Sequence, residues 1–274
     1  MTDFGLQVRM AVVGSILFAF YTVAAVFASL FFSIPLLVVL PLGIIVLPAI
    51  QYKLGKWSAL RGAEEMPEEG QYQQVHQMTE SLSRDMGIDK PKLMVMNMGV
   101  PNAFAVGRKG AGVVCVSTEL MQLLERDELE GVIAHELAHI KNRDVITMVV
   151  GQSIGSMVGW VAAIAYMSGG ERNPGSFFVA MIISNIANML VMIFVLAISR
   201  YREYVADDDA RQAIGSGDPL ARALEKISNG AQGRESELDD SMSALCILNA
   251  DRSILQKIFS THPPTEKRIQ KLRS

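Results

Sequence analysis

The chain has 274 residues, of which 50% are hydrophobic and 19% charged, with a net charge of −3 and two cysteines. Proteins carry about 25% charged residues on average, so the shortfall points to apolar segments set apart from the rest. The small negative charge and the lack of a long basic block argue against nucleic acid as a partner, and Cys115 and Cys246, far apart, form neither a disulfide framework nor a zinc ribbon and are assigned to packing.

No Asp, Glu, Lys or Arg occurs from Met10 to Tyr52, from Val145 to Gly170, or from Asn173 to Ser199. A helix needs about 20 apolar residues to cross the hydrocarbon core, and the first stretch is about twice that length. Pro35, Pro41 and Pro48 interrupt it, which gives two spans, about 8–31 and 34–52, joined by a tight turn around Ser33–Pro35. The later stretches give spans near 146–167 and 177–198. Four such segments in so short a chain leave too little polar surface to cover them in water. The first is too long for a cleaved leader and shows no small-residue cleavage site, so it is expected to stay as an anchor. Basic residues cluster at Arg9, Lys53, Lys56, Arg61, Lys141, Arg143, Arg200 and Arg202, whereas the turn at Ser33 has none and the loop between the last two spans has only Arg172. That asymmetry predicts both termini and the polar regions on the cytoplasmic side of a lipid bilayer.

The polar regions are 53–145, between the two membrane hairpins 1–52 and 146–198, and 199–274 after them. Residues 68–86 are expected to be helical, with Pro67 and Glu68 near the start and Gly87 as the stop. Leu93–Met96, Ala103–Gly107 and Val113–Ser117 are expected to be strands, the last two a hairpin across the Gly-rich turn Arg108–Gly112. A helix opened by Asp127, with Glu130 completing a capping box, then leads into the third span.

That helix carries His135-Glu136-Leu137-Ala138-His139, an HExxH sequence. Residues four apart share a helix face, so both imidazoles can reach one metal ion, and Glu136 is placed to take a proton from water activated there. Two of the four histidines of the chain are spent on this word. His76 has no partner at ligand spacing and is assigned a structural role. A catalytic zinc takes three protein ligands and keeps one open position. No further His stands at the spacing of the three-histidine class, which leaves a carboxylate. Glu203 lies just past the fourth span, with Asp207 four residues on, on the same face and suited to hold a ligand histidine from behind. A solvated acidic run at a membrane boundary is the plainer reading of this segment, and the one adopted for Asp208 and Asp209. Asp144 is an alternative ligand, turned off the face by its place five residues after His139.

Four stretches resemble the HtpX-type membrane metalloproteases, relatives of the CAAX prenyl endopeptidases: DELEGVIAHELAHIKNRD at 127–144, SRYREYVAD at 199–207, NAFAVG at 102–107 and STHPPTEKRIQKL at 260–272. The resemblance implies Glu203 as the third ligand of one Zn2+ per chain and Glu136 as the catalytic base. It further implies a cytoplasmic active site in the cell membrane and a role in degrading damaged or misassembled membrane proteins. His262 and Arg268 become candidates to meet the transition-state oxyanion. Their duller readings are a helix cap beside Pro263 and a solvated face. The NAF word suggests that Asn102 and the main chain of Ala103, Phe104 and Ala105 hold an extended substrate at a strand edge; the plainer reading is a hairpin strand with Phe104 in the core.

The expected fold is a mainly α membrane protein, with four transmembrane helices and a cytoplasmic α+β zincin-like domain carrying a small sheet. The expected activity is a zinc endopeptidase acting on unfolded or membrane-protein substrates. An HExxH protease with its motif inside a span is ruled out by the charges on both sides of the motif, Glu125–Glu128 and Lys141–Asp144. A zinc-binding scaffold or transporter without protease activity is the alternative, although the spans carry no ionisable ligand. The sequence leaves the oligomeric state open.

Overall fold

A computed structural model of the chain describes residues 4–169, 173–229 and 263–274. Two compact units are present, Met1–Gly55 with Ile146–Tyr201 and Lys56–Val145 with Arg202–Ser274. The first is helical. α1 (Phe4–Phe32) and α2 (Leu36–Ala59) are separated by Ser33 in the left-handed region, φ 54°, at the tight turn expected there. Ser29 Oγ donates to Ile34 O at 2.7 Å across this turn.

Pro41 and Pro48 stand inside α2. A proline has no N–H to give and crowds the carbonyl four residues back. The helix widens between them into a π-turn at Leu42–Val46. Tyr21 of α1 exploits the opening, its hydroxyl donating to Leu40 O. Gly43 is required there, because a Cβ would lie 2.8 Å from the Tyr21 ring. α6 (Asp144–Ser168) and α7 (Pro174–Ile214) complete the unit. Cβ atoms at Gly151, Gly155 and Gly159 would meet Val195, Asn188 and Ser184 of α7 at 2.8, 2.5 and 2.8 Å, so these glycines let the two backbones close together. All four helices are long and apolar enough to cross a membrane. Their outer faces expose large apolar side chains, Leu37 at 84% and Phe178 at 66%, as suits helices that face lipid.

The second unit is α+β. Its sheet has the order β1-β2-β4-β3, from β1 (Glu64–Glu65), β2 (Lys92–Met96), β3 (Ala103–Val106) and β4 (Val113–Ser117). β2 and β4 are parallel, and β3 returns antiparallel on β4 as the expected hairpin. Gly107 makes its turn possible: φ is 121°, and a Cβ would strike Ala111 O at 2.4 Å. β4 is buried along its whole length. α3 (Gln73–Asp85), α4 (Thr118–Leu123), α5 (Arg126–Asn142), α8 (218–229) and α9 (Thr265–Leu272) complete the unit with the charged end of α7. Leu82, Leu93, Val114, Val116, Ile133, Leu137 and Leu220 form the centre of its core, with the thiol of Cys115, pushed up to about 11 by burial, beside β3 in the same sheet.

Two expected boundaries shift. α3 starts at Gln73 rather than 68, because Gly70 takes φ 69° and residues Gly70–Tyr72 form a 3-10 turn first. α5 is capped by Glu125 and Glu128, not by Asp127 and Glu130. The Glu125 amide donates to Glu128 Oε2 at 2.9 Å, and Lys226 of α8 neutralises that buried carboxylate at 2.7 Å. Asp127 falls within the first turn, where it pairs with Arg222.

Candidate active site

His135 and His139, one turn apart on α5, bring their Nε2 atoms to 3.1 Å from each other. Glu203 on α7 faces both, with Oε2 at 3.5 Å from His135 Nε2 and Oε1 at 3.6 Å from His139 Nε2. One ligand atom from each of the three residues falls within 4.8 Å of the others. Small residues make the approach possible: Ala134 and Ala138 of α5, and Ala206 and Ala210 of α7, are completely buried in the same core. A larger side chain at any of them would push α5 and α7 apart.

The far nitrogen of each imidazole meets an aspartate. His135 Nδ1 lies 3.0 Å from Asp207 Oδ1, and His139 Nδ1 lies 2.6 Å from Asp144 Oδ2. A carboxylate in this position accepts the Nδ1 proton and so fixes the tautomer. Both Nε2 atoms then present lone pairs to one another and to the Glu203 carboxylate. Such an arrangement is repulsive unless a cation sits among the three, and two imidazoles with one carboxylate suit zinc. The electrostatics agree. Burial disfavours a charge on His135, and Arg268 opposes it too, but the Asp207 and Glu203 carboxylates prevail and push its pKa up to about 9. The two carboxylates favour a positive charge at this point, as a proton or as a metal.

Glu136 points to β3. Burial pushes its carboxyl above the usual glutamate range, against the pull of the two histidines and of the Ala105 amide, which donates to it. β3 is an edge strand in the order β1-β2-β4-β3. Ser117 N donates to Asn102 O at 2.8 Å, which sets the phase of the ladder. By the alternation of antiparallel pairs, Phe104 faces β4 with its main-chain groups, whereas those of Ala103 and Ala105 point to the free edge. The Ala105 amide is already engaged there by Glu136. Asn102 is anchored through its own amide to Ser117 Oγ at 2.9 Å. Phe104 is half-buried rather than a core residue.

Arg268 is not on a solvated face. It is 7% exposed, with Nη1 3.1 Å from Glu203 Oε2 and two nitrogens on Asp207. His262 and Cys246 lie outside the described residues. His76 Nε2 lies 3.1 Å from Met66 O, a local contact remote from metal chemistry. Asp208 pairs with Gln212 at 2.7 Å in the solvated role expected of it, whereas Asp209 is only 17% exposed and is held by Lys141 and Asn142 of α5, each at 2.8 Å. Asp144 reaches the back of His139 instead of the ligand position, and Arg202, assigned only to the membrane boundary by sequence, pairs with it. The adjacency of Arg202 to Glu203 was the available sign, but linear spacing does not show which carboxylate an arginine meets.

The profile described as peptidase family M48 matches residues 69–274. A protein named Protease HtpX homolog from Halobacterium salinarum is 55% identical, with 97% of this chain and 100% of that protein aligned. Another of that name, from Pyrococcus abyssi, is 40% identical over 77% of this chain and 74% of its own length. Among solved structures, S. mikatae Ste24p matches with a TM-score of 0.58 at 20% identity, and this shows a shared fold. The match covers 97% of this chain and 63% of that one, so the chain spans somewhat less than two thirds of its length.

Proposed function

The chain belongs to peptidase family M48 and is a multi-pass membrane metalloendopeptidase, and on that premise we propose that His135, His139 and Glu203 hold one Zn2+ with Glu136 as the catalytic base. The convergence of those three ligand groups, with both Nδ1 atoms already committed to aspartates, is the observation that carries the reading. When bound, the zinc supplies Lewis-acid activation of water and of the scissile carbonyl. Glu136 takes the proton from the attacking water and passes it to the leaving amine, a task suited by a carboxyl that burial holds above the usual glutamate range. The free edge of β3 lines up an extended peptide beside Glu136, through the main-chain groups of Ala103 and the carbonyl of Ala105. Main-chain pairing tolerates many side chains, as expected of an enzyme that cuts unfolded or membrane-protein substrates. We place the active site in the cytoplasm, from the basic residues flanking the spans, and assign the enzyme to removal of damaged membrane proteins in the cell membrane, from its resemblance to HtpX-type proteases.

Proteolysis by detergent-purified protein tests this, with zinc stripped and restored, in wild type and Glu136→Gln. Wild type is expected to cut an unfolded substrate or itself only with metal, and the variant to bind about one ion yet lose activity by about 10²–10⁴-fold. If both proteins bind zinc and neither cuts, the scaffold reading takes over. Equal cleavage by the variant removes Glu136 as the base.

A further inference from the structure

Arg202 and Asp144 stand outside the ligand set, yet each is only 6% exposed. One Asp144 oxygen, Oδ2, lies 2.6 Å from His139 Nδ1. The other, Oδ1, accepts from Arg202 Nε at 2.6 Å and also from Nη2. Nη2 donates in addition to Asn142 O at 2.6 Å, the last carbonyl of α5. A buried ion pair of this kind gives little net stability after its desolvation, so stability alone is a poor reason for it.

Its position gives a better one. Arg143 takes the left-handed conformation, φ 57°, so α5 ends there and Asp144 opens the next helix. The guanidinium grips both sides of that break, the Asn142 carbonyl and the Asp144 carboxylate. A counterpart stands behind His135: Asp207 at its Nδ1, and Arg268 on both oxygens of Asp207. Each ligand histidine therefore has an aspartate behind it and an arginine behind the aspartate. Arg202 also precedes Glu203 in the chain, so one turn of α7 presents a carboxylate to the metal position and steadies the second histidine.

We propose that Arg202, acting through Asp144, is a positioning residue that fixes the ring of His139 with its Nε2 lone pair towards the metal; this rests on the metal site proposed above. A carboxylate behind a ligand imidazole typically governs metal affinity by about 10–100-fold, and Arg202 is what holds this one in line.

The test is zinc affinity by chelator competition on the full chain in detergent, for wild type, Arg202→Gln, Arg202→Lys and the double variant Asp144→Asn/Arg202→Gln. The double variant removes both buried charges and leaves neither unpaired. Arg202→Gln and the double variant are expected to lose about 10–100-fold in affinity. Arg202→Lys, with its charge but without the fork, should recover part of the loss. The cobalt-substituted variants should show altered d–d absorption, which a clamp between helices would not change. Wild-type affinity and an unaltered cobalt spectrum in the variants would overturn the proposal, as would a double variant that is unfolded even without metal. Failure of wild type to bind zinc would overturn the metal site itself, a result separable from the other two.

Discussion

Arg268 grips Asp207 with two nitrogens, Nε at 2.8 Å from Oδ2 and Nη2 at 2.6 Å from Oδ1, while Asp207 holds the back of His135. α9 thus closes the site from behind the proposed ligands. Arg268→Ala would leave Asp207 buried and unbalanced beside Glu203, a loss of about 3–5 kcal/mol by analogy with broken buried pairs. It should also weaken zinc retention by about 10–100-fold. Arg268→Lys should rescue little, because a single ammonium cannot reproduce the two-pronged grip. A direct role at the oxyanion predicts otherwise: kcat would fall with zinc retention intact. Zinc affinity measured beside kcat separates the two.

His135 gives the metal-free protein a pH dependence of definite sign. Its pKa is about 9 in the folded protein and about 6.5 in an unfolded chain, so protonation favours folding. The contribution is fully present below pH of about 6.5 and is lost as pH rises through about 9, amounting to at most about 3 kcal/mol. Zinc must displace this proton, so stabilisation by zinc should grow over the same window. Thermal midpoints with chelator should fall across the range while the gap to zinc-loaded protein widens. A chelated midpoint that stays level or rises would show that His135 folds neutral.

The sequence exposed the parts of this molecule that repeat a simple period. Long uncharged stretches gave the four apolar helices, and the spacing of four gave the shared face of His135 and His139. What it hid depends on contacts between distant segments. β1 is two glutamates paired with β2, with no alternation to betray it. Asp144 lies five residues from His139, off the ligand face, and a left-handed Arg143 turns it back to Nδ1. Glu125 and Glu128 hold the cap of α5 in competition with Asp127 and Glu130, which fit the same pattern; the buried ion pair with Lys226 accompanies the choice. The plainer reading of Arg268, a solvated face, failed because its burial comes from contacts with Glu203 and Asp207, more than sixty residues earlier in the chain.

Gly131 lies on α5 one turn before His135, where α8 crosses. A Cβ there would stand 2.9 Å from Leu220 N and 3.1 Å from its Cα, and backbone does not yield as a side-chain tip does. Alanine raises helix propensity by about 1 kcal/mol, but overpacking against backbone costs about 1–3 kcal/mol. Gly131→Ala is therefore expected to lower the thermal midpoint despite the better helix former. Equal or greater stability in the variant would mean that α8 can slide away without loss.

The edge of β3 offers the most direct test of how substrate is held. The Ala103 amide points away from β4, so proline there removes a donor from the free edge without breaking the ladder. The thermal midpoint and zinc affinity of Ala103→Pro should stay near wild type. Cleavage of an extended peptide should lose about 1 kcal/mol or more of transition-state binding, about fivefold or more in kcat/KM, if the amide donates to substrate. Phe104→Pro is the control: its amide faces β4, so this change should unfold the hairpin instead. If Ala103→Pro folds, binds zinc and cuts as well as wild type, the substrate does not pair with this edge, and the main chain beside Glu136 serves only to hold the base.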